Sequence, residues 1–89
     1  MRAIITVIGK DTVGILAKVS TKCAEYNANV IEVTQSIMQE LFCMIMLVDI
    51  SALNASFSQL SDEMEKLGSE QNLKIHTMHE DIFNCMHHI

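Results

Sequence analysis

Apolar and polar positions change their period several times along the 89-residue chain, and each change marks an element. From Arg2 to Ile8, Ala3, Ile5 and Val7 alternate with Ile4, Thr6 and Ile8, β-branched through the centre, which predicts a buried strand. Gly9 ends it. From Val13 to about Tyr26 the period lengthens: Ile15, Leu16, Val19, Cys23 and Tyr26 share one helical face, with Lys18, Lys22 and Glu25 opposite. Asn27-Ala28-Asn29 closes this helix, because asparagine tolerates a left-handed cap. Val30 to Met38 alternates again, with Ile31, Val33 and Ile37 on one face against Glu32, Thr34 and Ser36, and the polar face predicts an edge position. Gln39-Glu40 turns the chain into Leu41 to Ile50, which is apolar on both faces and predicts a central strand covered on both sides.

Ser51 to Ser56 is a polar connection with Asn54 and Ser56 as alternative N-caps. Phe57, Leu60, Met64 and Leu67 then form a helical stripe, with Asp62, Glu63, Glu65 and Lys66 mostly outward, and Gly68 leaves the helix end open. Leu73 to Glu80 reads as a fourth strand. Asp81 can cap a short terminal helix whose Ile82, Phe83, Met86 and Ile89 share a face.

The order βαββαβ plus a terminal helix predicts an α+β, ferredoxin-like sandwich with a four-stranded antiparallel sheet in the order 4-1-3-2. Right-handed crossovers put both main helices on one face. Residues 1–89 are expected to make one domain, a core of 1–80 with a helical extension over 81–89. The first and third strands are apolar on both sides, so the face without helices needs a cover. The terminal helix supplies part of it and a second subunit the rest.

Composition reinforces that expectation. A chain this short buries roughly 60 to 65% of its unfolded surface. With 49% hydrophobic residues and no proline, and a mean hydropathy of +0.26, it is more apolar than a small monomer readily hides, so a homo-oligomer, most simply a dimer, is expected. A net charge of -5, with 11 acidic against 6 scattered basic residues, argues against a nucleic-acid surface. The longest apolar run, Leu41 to Val48, is far short of the ~20 residues of a membrane helix. Cys23, Cys43 and Cys85, odd in number and without a signal peptide, predict reduced thiols in a cytoplasmic protein.

The chemistry concentrates in the turn from Ile8 to Leu16. A helix starting so soon after a strand leaves its first N–H groups unpaired and facing the turn, which favours an anionic group such as a carboxylate. Simpler roles compete: Asp11 or Thr12 can cap the helix, Gly14 can permit close packing of helix on sheet, and Asn29 can be a turn residue only. Met38, Met44, Met46, Met64, Met78 and Met86 fit core or dimer packing. His76 and His79 fall on opposite faces of a strand, whereas Cys85 and His88 are one helical turn apart with His79 or His87 near. That makes a metal-binding module an alternative, although zinc or nickel needs three or four converging ligands. No Ser/His/Asp order, paired carboxylates or nucleotide-binding glycine loop is visible, so neither an enzyme nor a cofactor is predicted. Among functions of this topology, the first turn lacks the Cys-x-x-Cys of a copper chaperone and the arginine of an acylphosphatase. The first and third strands lack the aromatics of an RNA-recognition motif, Phe42 being their only one.

The run Gly9-Lys10-Asp11-Thr12-Val13-Gly14-Ile15-Leu16-Ala17 resembles the Asp-Arg-Pro-Gly-Ile-Leu-Ala pattern of the ACT domain, a small amino-acid-sensing module of metabolic regulation. Asn27-Ala28-Asn29-Val30-Ile31 follows as in that family. The Gly-Lys-Asp-x-Val-Gly-Ile opening and the ending Met86-His87-His88-Ile89 are similar to the small single-domain ACT proteins of bacteria. The resemblance implies two copies side by side, second strands and first helices adjoining, with a ligand between the first turn of one copy and the second strand of the other. Asp11, Thr12, Val13 and Gly14 would supply one half and Asn29 and Val30 the other. An amino acid offers a carboxylate to the helix start and an ammonium to Asp11 or to the Asn29 amide oxygen. Thr12-Val13 stands where the family has Arg-Pro, so the usual positive charge is absent. The resemblance therefore implies a non-enzymatic sensor of an amino acid or related carboxylate. The alternative in another class is a structural domain docking a protein partner without any ligand.

Overall fold

The computed structural model describes residues 1–10 and 14–82. Its elements are β1 (Arg2–Gly9), α1 (Ile15–Glu25), β2 (Asn29–Met38), β3 (Leu41–Asp49), α2 (Phe57–Glu70) and β4 (Lys74–His79). All neighbouring strands pair antiparallel in the order β2-β3-β1-β4, the expected ferredoxin-like arrangement, with β2 and β4 at the edges.

The core lies between one sheet face and both helices. Ala3, Ile5 and Val7 of β1 and Met44, Met46 and Val48 of β3 are fully buried there against Val19 and Cys23 of α1 and Leu60 and Met64 of α2. The stripe of α1 is narrower than the sequence predicts. Ile15, Val19 and Cys23, spaced by four, are buried, but Leu16 is 39% exposed. One residue turns a helix by about 100°, which carries Leu16 off the stripe. The methionines divide as well: Met44, Met46 and Met64 are core, Met78 is half-buried and Met38 is exposed, while Met86 lies outside the described residues.

In β2 the alternation is broken. The register shifts between Val30 and Glu32, so Val30, opposite buried Val48, and Val33, opposite buried Met46, pack on the core, and Ile31 is left at the bulge, 47% exposed. The expected shared face of Ile31, Val33 and Ile37 is thus corrected at Ile31, because a bulge adds one residue to one strand. Ile37 is also exposed, at the tip of the hairpin closed by Gln39, whose φ is 58°.

Both helices end alike. Asn27 and Asn72 each have a φ of 58°, and Ala28 and Leu73 each donate an N–H back to Cys23 and Gly68 carbonyls at 2.8 Å. This is the Schellman closure. Gly68 lies inside α2, not at its end. A Cβ there would meet the Leu73 carbonyl oxygen at 2.8 Å, so the close approach of β4 requires glycine. Of the two candidate caps of α2, Ser56 accepts the Gln59 N–H at 3.1 Å. Asn54 instead secures the end of α1, donating its side-chain amide to the Glu25 carbonyl at 2.9 Å and its N–H to the Tyr26 carbonyl at 3.2 Å. Glu80, Asp81 and Ile82 are helical, so β4 stops one residue early and Asp81 falls within the helical residues rather than before them; the rest of the expected terminal helix lies outside the described residues. No helix of the described residues is long and apolar enough to cross a membrane.

Candidate functional site

The start of α1 is set by backbone conformation. Gly14 is its N-cap, with φ 72° and ψ 4°, and provides no side-chain cap. The Lys18 N–H makes a helical bond to the Gly14 carbonyl at 3.0 Å, so the first-turn N–H groups before it have no acceptor within the helix. No acidic residue occupies that first turn. Among the described residues a Cβ on Gly14 would meet nothing within 4 Å, so what requires glycine there is its left-handed φ rather than close packing against them. The close-packed glycines are Gly9, against Leu73, and Gly68. Lys18, the basic residue nearest in sequence on the helix, donates to Gln71 Oε1 at 2.7 Å. Asp11, Thr12 and Val13 lie outside the described residues.

Asn29 and Val30 open β2, where Asn29 pairs with Asp49 and Val30 with Val48. Beside them is a hollow of about 590 Å³ lined by Ser20, Ala24, Asn27, Ala28, Asn29, Val30 and Ala52. The lining is uncharged and made of small or amide side chains. Ser20, Ala24 and Ala52 were not among the residues the sequence singles out. The signal for the first two is their spacing of four on α1, where small side chains stand beside the charged positions Lys18 and Lys22.

Within one chain the two halves are far apart. Asn29 aligns with Asp49 and Arg2 at one end of the sheet, whereas Gly9, leading toward Gly14, aligns with Phe42 and Ile37 at the other. The chain alone therefore does not bring Gly14 to Asn29 and Val30.

The remaining chemistry is modest. His79 lies opposite Ala3 and stacks on Phe57 with ring centroids 4.1 Å apart, while His76 lies opposite Thr6 on the other face. A second hollow, of about 360 Å³, is lined by Met1, Arg2, His79, Glu80 and Asp81. Arg2 there pairs with Glu80 at 2.7 Å. Among the described residues no three His, Cys, Asp or Glu side chains converge as metal ligands; Cys85, His87 and His88 lie outside them. Burial pushes the Cys23 thiol up to about 11, the opposite of a nucleophile. Asp49 accepts the Ser51 N–H at 2.8 Å, and this hydrogen bond holds its carboxyl below the usual range.

A family model described as the ACT domain matches residues 2–78. A UPF0237 protein of Listeria innocua is 49% identical over 87 residues, covering 98% of each chain. Another UPF0237 protein, of Methanococcus maripaludis, is 50% identical over 86 residues, covering 97% of this chain and 96% of its own. The solved structure of an ACT domain protein from Streptococcus pneumoniae superposes with a TM-score of 0.82 at 41% identity, covering 93% of both chains. On the family model, these near full-length relatives and the shared sheet order, the chain belongs to the ACT domain family, among its small UPF0237 members.

Proposed function

We propose that this chain is a regulatory module without a reaction of its own, which pairs with a second copy along β2 and senses a small amino acid or related carboxylate between the two. ACT domains are regulatory, ligand-binding modules, and the finer reading rests on one observation. β2 is a ten-residue edge strand, exposed along most of its length, with the small-residue hollow at its Asn29 end and the Gly14 turn at its other end.

An edge strand presents unpaired N–H and C=O groups, which a second copy can satisfy. A two-fold axis that pairs β2 antiparallel with its equivalent reverses one strand on the other. The start of one β2 then lies beside the end of its partner, and the partner's Asn29 approaches the Gly14 turn. The ligand carboxylate meets the open N–H groups of the first turn, and the ammonium meets the amide oxygen of Asn29 or the carboxylate of Asp11. Thr12, Val13 and Val30 complete the contact surface. With no arginine in the turn, backbone donors supply the carboxylate contact.

A thermal-shift panel of the common amino acids at millimolar concentration, with light scattering on the same samples, tests this reading. One compound should raise the unfolding temperature of a dimeric protein, by the linkage that ligand binding imposes. Asn29→Ala should reduce that shift while the dimer persists. A monomer at tens of micromolar removes the inter-subunit site, and a dimer that responds to no compound leaves a docking module.

A further inference from the structure

The hollow beside Asn29 owes its character to where α1 sends its charges. Lys18 donates to Gln71 Oε1 at 2.7 Å, at the end of α2, and the Lys22 ammonium lies 3.4 Å from Glu25 and 3.8 Å from Glu63 of α2. Lys18, Lys22 and Glu25, the charged residues of α1, all line a separate hollow of about 290 Å³ that Leu67 of α2 borders from the other side. Ser20 stands two residues after Lys18 and Ala24 two after Lys22, about 200° round the helix, so both lie on the opposite flank. Asp49, across from Asn29 in the sheet, follows buried Val48 and therefore falls on the face away from α1. Its carboxylate accepts the Ser51 N–H at 2.8 Å.

What remains around the hollow is the Ser20 hydroxyl and the amides of Asn27 and Asn29, set among alanines and Val30. A hydroxyl and two amides both donate and accept hydrogen bonds, but none of them neutralises a charge. Moving an ammonium or a second carboxylate into such a place costs its hydration, with no counter-ion to offset the loss. An aliphatic side chain carries no such penalty of its own, yet it strips water from three polar groups and leaves them unpaired. A side-chain amide, with a carbonyl acceptor and an NH2 donor on one planar group, meets both demands.

We propose that the hollow selects an amino acid with a side-chain amide, asparagine or glutamine, over charged and aliphatic ones, with Ser20 and Asn27 as specificity-determining residues. In the sensing reading on which this rests, the ligand's own carboxylate and ammonium are held at the Gly14 turn and at Asn29, so the side chain is what enters the hollow. Asn27 serves twice. Its φ of 58° closes α1, a role that glycine also fills, so Asn27→Gly removes the amide and keeps the closure.

Calorimetric titration of the 89-residue chain at neutral pH tests the selection with side chains of nearly equal size. Asparagine is compared with aspartate and leucine, and glutamine with glutamate and methionine, with lysine as the basic counterpart. One of the two amides should bind roughly tenfold or more tightly than its acid and its apolar counterpart. Asn27→Gly should cut that preference severalfold while the unfolding midpoint stays nearly where it was. Ser20→Lys should shift the preference from the amide toward the acid, because the lysine supplies the missing counter-ion, with light scattering verifying that each variant keeps its oligomeric state. An acidic, basic or apolar amino acid that binds as tightly as the amides overturns the proposal and leaves the sensing reading intact. So does an amide preference that both variants leave unchanged. If no amino acid binds, the sensing reading falls and takes the proposal with it.

Discussion

The two helices start in contrasting ways. At α2, the Ser56 hydroxyl accepts the Gln59 N–H at 3.1 Å, so a side chain supplied by the sequence satisfies a first-turn donor. At α1, Gly14 stands at the same place with a φ of 72° and no side chain to offer. Their other ends match, each closed by a left-handed asparagine. The contrast separates a helix start capped by its own side chain from one whose N-cap residue contributes backbone conformation alone. It also explains why α2 tolerates a buried glycine at 68, where the sheet presses closely, while α1 spends its glycine on conformation.

The largest test of that contrast lies in α2. Leu60 is fully buried, and Leu60→Ala should lower the unfolding free energy by about 2–5 kcal/mol in a denaturant titration. Any ligand response should survive at temperatures where the variant is folded; its loss would mean that α2 also shapes the site. Next is Gly14→Val, expected to cost about 1–3 kcal/mol, because a β-branched residue is strained at positive φ. Gly14→Asn should cost less, and equal costs for the two would refute a conformational role for this glycine.

Ser56→Ala should destabilise by about 1 kcal/mol and Ser56→Gly by only a few tenths, measured by the same titration. The smallest effect at neutral pH concerns Cys23 of α1. Its thiol is held up at about 11, against 9.0 ordinarily, so the folded state keeps a proton that the unfolded chain gives up sooner. Stability from its neutral burial is complete below pH 9.0 and declines as pH rises toward about 11. Iodoacetamide at pH 8 should therefore label half-buried Cys43 and spare Cys23, and equal labelling would show that α1 opens readily.

Much of this was legible along the chain. Alternation in Arg2–Ile8 and Leu41–Ile50 identified the central strands, and Asn27 announced the end of α1. Asn72 was missed because Gly68 offered a more familiar stop signal; nothing local says that the Leu73 carbonyl will press on residue 68. The bulge after Val30 was equally hidden, since Ile31 is as apolar as its neighbours and only pairing with β3 decides which of them faces inward. For the candidate site, Asn29 and Val30 were readable as the entry to a strand, whereas the hollow beside them depends on Ser20, Ala24 and Ala52, whose small size becomes informative once α1 packs beside β2.

The sequence by itself determined the element order, the sheet that follows from right-handed crossovers, the paucity of charge in its two central strands and the glycine between β1 and α1. These are consequences of local periodicity and backbone preference, which act over a few residues. Tertiary structure decided the register, the bulge, the choice of Ser56 over Asn54 as a cap, and the placement of Gly14 and Asn29 at opposite ends of the sheet. Those depend on contacts between residues far apart in the chain, where backbone hydrogen bonding and close packing select among arrangements that the local pattern allows equally.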